Sequence, residues 1–381
     1  MTVNKYAIFS ACFLPHLGGV ERFTYNAATE LVRRGNSVVV ITSNTEHAPS
    51  NEFADEGFEI IRLPCISLLN GRLPIPLYTR EYRRLNHQIT SMTFDGVLIN
   101  TRFYFHSLYG MKVARQHGLT PVVLDHGSDY LSFSNSALDQ LVRRYEDCIT
   151  AFGLKHFAPH YFGISHKSAD WLNHFGIASR GVINNSIDAD SYRAESSGRD
   201  FRTELGTGPD TLLVAFVGRL VPEKGIGAIL EAAQSPLLVG RNIRFVIAGD
   251  GPLRKDVETA SDNVIYLGRL NQQDIASLLL QSDLNCLPSR SEGFATTLLE
   301  ASSCSCPSVV TDVGGARELI PNGQYGTILP DASASSLAVE ICRLYDNPSL
   351  RDIQSRSCYE LVKSSYSWDK TAQAIESALS K

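Results

Sequence analysis

The sequence predicts an α/β protein of two doubly wound, Rossmann-like domains facing one another across a cleft, and three observations lead there. The first is length: 381 residues exceed what one hydrophobic core usually holds, so two domains are expected. The second is a series of short, fully apolar, β-branched runs alternating with longer amphipathic stretches. That alternation marks parallel strands covered by helices on both faces. The third is that the series stops at a polar stretch, "DADSYRAESSGRDFRTELGTGPD" (188–210), and then begins again.

Along the first half the expected strands are "KYAIFSA", "SVVVITS", "FEIIRLP", "DGVLIN", "TPVVLDH", "YFGIS" and "GVINN". Between the first two, "ERFTYNAATELVRRG" has a helical period and a stop at Gly35. The opening "MTVNKYAIFSACFLPHLGG" alternates apolar with polar residues and runs into glycines, so it reads as a first strand and not a signal peptide. After the polar stretch come "TLLVAFVG", "NIRFVIAG", "NVIYLG", "DLNCLP", "PSVVTD" and "GTILP", then helical patterns at 333–346, 348–363 and 367–380. The expected organisation is a first domain over 1–188, a linker region with some local helix over 189–210, a second domain over 211–365, and a terminal helix over 366–381.

Composition narrows the function classes. A net charge of -5 and a pI near 6.1 argue against nucleic acid as a partner, which needs a basic face. No apolar run approaches the roughly 18 residues that span a bilayer. The 8 cysteines have no regular spacing, and several stand inside apolar runs, which suits buried thiols in a reducing cytoplasm. Cys304 and Cys306 lack further ligands at zinc spacing, so no metal site is expected there.

Four strand ends carry unusual loops. In "HLGGVER", Gly18 and Gly19 open a helix, which is either an ordinary tight turn or a place where backbone approaches a ligand. "FVGRLVPEKG" places Gly218, Arg219 and Lys224 after an apolar strand; the cations are either solvated or a clamp for a diphosphate. "AGDGPLR" is a tight turn at Gly249 and Gly251 before a helix start. In "PSRSEGFATTLLEA", Glu292 lies in a loop and Glu300 about one turn inside a helix that starts near Ala295, Thr296 and Thr297. Carboxylates accept hydrogen bonds, and vicinal hydroxyls are paired donors that suit them. Two carboxylates therefore fit a ligand with two diols, while Arg219 and Lys224 hold its phosphates. That division describes a nucleotide sugar.

The ordered set "GGVER", "FVGRLVPEKG", "GDGPLR", "LGRL", "PSRSEGFATTLLEA" and "VTDVGGARELI" resembles the retaining glycosyltransferases of family four, which have the GT-B fold. The resemblance covers nearly the whole chain and is strongest over 212–330. It implies that Arg219 and Lys224 neutralise the leaving diphosphate, Glu300 holds the ribose hydroxyls, and Glu292 holds the hydroxyls of the donated sugar. Amides around Phe294, Ala295 and Thr296 would meet the sugar or distal phosphate, with Gly18 and Gly19 closing from the other domain. His126 of "DHGSD" matches the family's histidine near the reacting sugar, and a buried histidine at a strand end is the alternative. Backbone around Gly249–Gly251 and Leu267–Leu270 would meet the base, and the terminal helix would cross back onto the first domain. Departures from the family pattern are "EASSCSC", with Ser305 where glycine is common, "NSID" at 185–188, and Ala295 where glycine or proline is frequent.

The activity so implied is a hexosyl transfer from a UDP- or GDP-sugar to a sugar or lipid-linked acceptor, with no cofactor and no metal. No Asp-x-Asp metal motif of the other common transferase type is read near a strand end. The stretch "SLLNGRLPIPLYTREYRRLNHQ" (67–88) sets Arg72, Arg80, Arg83 and Arg84 among Leu, Ile and Tyr. It is either a solvated helix face or a basic, aromatic surface for an anionic membrane. A cytoplasmic enzyme, peripheral to the inner face of the plasma membrane, is expected. An epimerase of the same fold and a non-catalytic nucleotide-sugar-binding protein are the competing readings.

Overall fold

A computed structural model describes residues 3–15, 18–69, 71–131, 136–294 and 296–380. The chain divides into two compact units, Met1–Asn185 with Trp368–Lys381, and Ser186–Ser367.

The first unit contains β1 (Lys5–Ser10), β2 (Ser37–Ser43), β3 (Asn51–Phe53), β4 (Glu59–Leu63), β5 (Cys65–Leu68), β6 (Leu73–Pro76), β7 (Gly96–Asn100), β8 (Val122–Asp125) and β9 (His160–Gly163). Its main sheet has the order β3-β4-β2-β1-β7-β8-β9, and every pair except β3–β4 is parallel. Apolar side chains on both faces, such as Ile8 and Phe9 of neighbouring positions, are fully buried. The strands therefore read as continuous hydrophobic runs and not as alternation. Helix Gly19–Arg33 buries Phe23, Ala27, Ala28 and Leu31 from one face, at helical spacing, and ends before Gly35 at φ 90°.

The second unit contains β10 (Leu212–Val217), β11 (Ile243–Ala248), β12 (Val264–Gly268), β13 (Leu284–Leu287), β14 (Ser308–Thr311) and β15 (Gly326–Leu329). They form one parallel sheet of order β12-β11-β10-β13-β14-β15. Leaving out the edge strand β3 and the β5–β6 hairpin, both units share one doubly wound order. The order reverses between β1 and β7 in one and between β10 and β13 in the other, where loops leave in opposite directions.

Three expectations change. "GVINN" is not a strand, since Val182 makes only an isolated bridge to Gly163. The short antiparallel β3 and the β5–β6 hairpin were not anticipated; they are half-exposed and too short to show a period. The stretch 189–210, expected as a linker region with some local helix, forms helices Ala189–Ala194 and Phe201–Glu204, which group with the second unit. Asp188 and Asp200 cap them by accepting from Ser191 and Thr203 amides, and Tyr192 and Phe201 are buried in the core.

At the C-terminus, helices Ala334–Tyr345 and Pro348–Ser365 complete the second unit, and helix Trp368–Leu379 belongs to the first. Glu376 accepts from Arg34 and Asn36, both at 2.8 Å, and Thr371 Oγ1 donates to the Asn184 carbonyl at 2.9 Å. Among the described residues, no helix is long and apolar enough to cross a membrane.

Candidate functional site

In the second unit, β10 gives way to Gly218 and Arg219, then a turn at Pro222–Lys224, then helix Ile226–Ala233. Its neighbour β13 gives way to the 288–294 loop and helix Thr296–Ser303. The two loops meet at the point where the strand order reverses. Arg290 N–H donates to the Glu223 carbonyl at 2.8 Å, and Lys224 forms an ion pair with Glu292. The same Glu292 carboxylate accepts from Ser289 Oγ at 2.9 Å. Gly225 locks the contact: at φ 74° a side chain is strained, and an added Cβ would lie 2.1 Å from the Pro288 carbonyl oxygen.

The neighbouring edge is knitted in the same way. Gly218 N–H donates to Ala248 at 3.0 Å, and Gly249 N–H to Gly268 at 2.8 Å. A Cβ on Gly249 would fall 1.8 Å from the Gly218 carbonyl oxygen, so the Gly249–Gly251 turn packs backbone to backbone on the arginine loop. Leu270 follows β12 and is half-buried against the core. On the other side, Gly314 lies under the Glu292 and Gly293 carbonyls, and the Phe294 ring covers Gly315. Arg219 stands exposed, and its side chain makes no hydrogen bond or ion pair with a described residue. Lys224 and Glu292 are mostly covered, at 21% and 11% side-chain exposure. Glu300 is half-buried within helix Thr296–Ser303, while Glu292 precedes that helix, so the two acids share no helical face.

In the first unit, Gly18 caps helix Gly19–Arg33 in extended backbone, with the Glu21 carboxylate folded over it. His126 follows β8. Its Nε2 lies 3.0 Å from Asn100 Oδ1, while Asn100 Nδ2 donates to Thr24 Oγ1 at 2.8 Å. Thr24 uses its one proton elsewhere, on the Val20 carbonyl at 2.7 Å, so it must accept from Asn100. Asn100 then presents oxygen to the histidine, Nε2 carries the proton, and Nδ1 is left as the ring's acceptor. The Phe23 ring packs edge-on at 5.0 Å. The imidazole keeps some surface, but burial strips water from it and pushes its pKa down to about 3. It is neutral at physiological pH.

Behind His126 lies a charge cluster that the sequence reading missed. Arg102 is fully buried and donates to Asp125 at 2.6 Å and to Glu146 at 2.9 Å, both also fully buried. Its guanidinium lies 4.2 Å from the Phe175 ring centre. Glu146 accepts from the Leu131 amide at 3.0 Å, and burial raises its pKa to about 7; burial also raises Asp125. The sequence reading singled out none of the three, although Asp125 is adjacent to His126.

The chain does contain an Asp-x-Asp at 188–190, which the sequence reading passed over. Asp188 caps a helix there, and Asp190 pairs with Lys363 at 3.0 Å. Among the described residues, no three His, Cys, Asp or Glu side chains are grouped to hold a metal ion.

Two family models match, "Glycosyltransferase Family 4" over residues 17–191 and "Glycosyl transferases group 1" over 199–361. A relative from Bacillus subtilis, described as the putative teichuronic acid biosynthesis glycosyltransferase TuaC, is 30% identical over 283 residues, 73% of this chain and 69% of that protein. The chain belongs to glycosyltransferase family 4. This glycosyltransferase is also 34% identical to the alpha-D-kanosaminyltransferase of Streptomyces kanamyceticus over 186 residues, 47% of each chain. The Anabaena protein HepE, solved in complex with UDP-glucose, matches it with a TM-score of 0.71 at 20% identity over 99% of each chain. That likeness is one of fold, GT-B.

In the glycosyltransferase, the expected residues fall into three groups. Gly218, Arg219, Lys224, Glu292, Phe294, Thr296 and Glu300 gather at the ends of β10 and β13. Gly249, Gly251 and Leu270 flank them at the ends of β11 and β12. Gly18, Gly19 and His126 lie at the carboxyl edge of the first unit's sheet. Ala295 lies outside the described residues. The expectation gave Lys224 to phosphate and Glu292 to sugar; in the structure the two side chains hold each other.

Proposed function

We propose that the chain is a retaining, metal-independent hexosyltransferase. It would move the sugar of a UDP- or GDP-sugar onto a hydroxyl of a sugar or lipid-linked acceptor, in surface polysaccharide or glycolipid synthesis. The reading places it in the cytoplasm, peripheral to the inner membrane face. The observation that carries it is the meeting of the Arg219–Lys224 loop and the Glu292–Glu300 segment at one reversal of strand order.

Transfer breaks the bond from the anomeric carbon to the diphosphate and forms one to the acceptor oxygen, through an oxocarbenium-like state. Negative charge grows on the leaving diphosphate, so fixed cations lower the barrier. Arg219 is exposed and uncommitted, and Lys224 exchanges part of its contact with Glu292 for phosphate oxygens. Glu292, no longer neutralised by Lys224 alone, accepts hydrogen bonds from the hydroxyls of the moving sugar, and Glu300 accepts those of the ribose. A diphosphate oxygen takes the acceptor's proton as attack occurs on the same face. In the second unit, amides of Phe294 and Thr296 orient donor oxygens and Gly249, Gly251 and Leu270 border the base; in the first unit, the amides of Gly18 and Gly19 and the Nδ1 acceptor of His126 are offered to hydroxyl or phosphate groups.

Arg219→Ala and Lys224→Ala are expected each to lower transfer at least ~100-fold, in line with removing one donor from a preorganised charge-stabilising site. The melting temperature should be unchanged in Arg219→Ala and lowered in Lys224→Ala, which strips the mostly covered Glu292 of its cation. Near-normal turnover in either variant, assayed with labelled nucleotide sugar, would sink the diphosphate-clamp assignment. A thermal-shift series with UDP-, GDP- and ADP-sugars identifies the donor.

A further inference from the structure

A cavity of about 520 Å³ lies in the first unit, and none of the candidate site residues named above lines it. It reaches the carboxyl edge of the sheet, where Ser43 and Leu63, the last residues of β2 and β4 and partners in register, form part of its wall. It then follows the space beside helices Arg80–Ser91 and Phe105–Gln116, which Tyr109 ties together by donating to Asn86 Oδ1 at 2.9 Å. The groove is thus held by a specific hydrogen bond and by packing, and its size suits one small molecule.

Its chemistry is one-sided. The walls are mostly apolar and aromatic, including Tyr82, Leu108 and Phe152. Two cations line it, Arg83 and Lys112, and none of the lining residues is a carboxylate. Both are exposed, and neither side chain is hydrogen-bonded or ion-paired to a described residue. In a chain with 40 acids against 35 bases, a groove with two unpaired cations and no acid is complementary to an anion. At the rim, Tyr78, Phe105 and Phe152 leave 69%, 36% and 47% of their surface uncovered. An apolar chain laid in the groove would cover them.

We propose that this groove binds a single-chain lipid phosphate, with the chain along the aromatic wall and the phosphate at Arg83 and Lys112. Its role as the anchor of the transferase's acceptor rests on the function proposed above, whereas the binding itself does not. Its inner end at Ser43 and Leu63, both buried, lies one strand from the end of β1, because Ser10 pairs in register with Thr42. From the stretch 67–88, read in the sequence as either a solvated helix face or a basic membrane surface, Tyr78, Tyr82, Arg83 and Asn86 line this groove.

Calorimetric titration of the full chain with decyl phosphate, kept below its micelle concentration, tests this. One saturable equivalent is expected, weakened at least ~10-fold in an Arg83→Gln/Lys112→Gln variant and by added salt, as for exposed charge pairs. Decanol should bind more weakly, and inorganic phosphate should give no saturable signal. Equal affinity in the double variant, absence of decyl phosphate binding, or inorganic phosphate binding as tightly would overturn the proposal. So would binding only to anionic phosphatidylglycerol vesicles, which would indicate a membrane surface. A UDP thermal shift on the same samples separates the two readings. A UDP shift without decyl phosphate binding defeats the groove and leaves the transferase reading standing. Decyl phosphate binding together with normal transfer by Arg219→Ala defeats the diphosphate clamp and leaves the groove standing.

Discussion

One buried guanidinium, Arg102, faces two buried carboxylates, and a single positive charge cannot neutralise both. Burial therefore raises Asp125 and Glu146, the latter to about 7. A carboxyl whose folded pKa exceeds its unfolded value adds stability that is full below the unfolded pKa. That contribution fades as pH rises through the folded one. Urea titrations of wild type should show it fading between about pH 4.5 and 7, by this linkage. Glu146→Gln cannot titrate, but its amide cannot accept the Leu131 N–H as well as serve Arg102. It should therefore lose about 1 kcal/mol at pH 5, with the gap narrowing by pH 8. Parallel stability curves for the two proteins would contradict this. Arg102→Met leaves two carboxylates without their cation and should cost about 3–5 kcal/mol. This cluster was illegible in the sequence because Arg102 and Glu146 lie 44 residues apart, in runs that otherwise look apolar or helical. The charged residues of the switch-point loops were legible because each follows an apolar strand directly. That Lys224 and Glu292 would pair was not, since pairing depends on loop conformation and not on spacing.

At the scale of elements, the loops after β10 and β13 are positioned by backbone contact, so glycine decides whether they fit. Gly225→Ala would strain a left-handed position and push its Cβ into the Pro288 carbonyl. A loss of about 1–3 kcal/mol is expected from the backbone strain, together with weaker donor binding as the Glu292 loop shifts. Gly227, the second residue of helix Ile226–Ala233 and exposed, is the control: nothing lies within 4 Å of its added Cβ. Gly227→Ala should stabilise by up to about 1 kcal/mol through helix propensity. Thermal melts with and without UDP check both, and equal effects at the two positions would refute the packing argument. Among the elements themselves, central strands were legible because burial on both faces makes them continuous apolar runs. Edge pieces such as β3 and the β5–β6 hairpin lack that constraint. Some local helix was expected in 189–210, and Asp188 and Asp200 stand at the caps of the two helices there; what the polar surface hid is that Tyr192 and Phe201 pack into the second unit's core. Ser305 occupies φ 56°, the left-handed region where glycine is at ease, which explains the glycine common at that place in the family pattern.

At the scale of the whole molecule, the chain completes its first unit with its last helix. Thr371, Ala372, Ile375 and Ala378 of helix Trp368–Leu379 are buried, and Arg34 is held by Asp369 and Glu376. Trp368 also lies 5.7 Å from the Phe23 ring, which in turn packs on His126. The terminal helix thus supports the edge that carries His126 through one intervening ring, although it is distant in sequence. Deleting 368–381 should lower the melting transition of the first unit and leave that of the second in place. Calorimetry with UDP separates the two, since under the proposed donor site only the second unit's transition should rise on binding. Ile375→Ala is the milder form: Ile375 is fully buried, and a cavity there should cost about 2–5 kcal/mol, confined to the same transition. If either change lowered both transitions equally, the two units would unfold as one cooperative body. If neither lowered any transition, the helix would add nothing to the first unit's stability, and its support of His126 would fall with it.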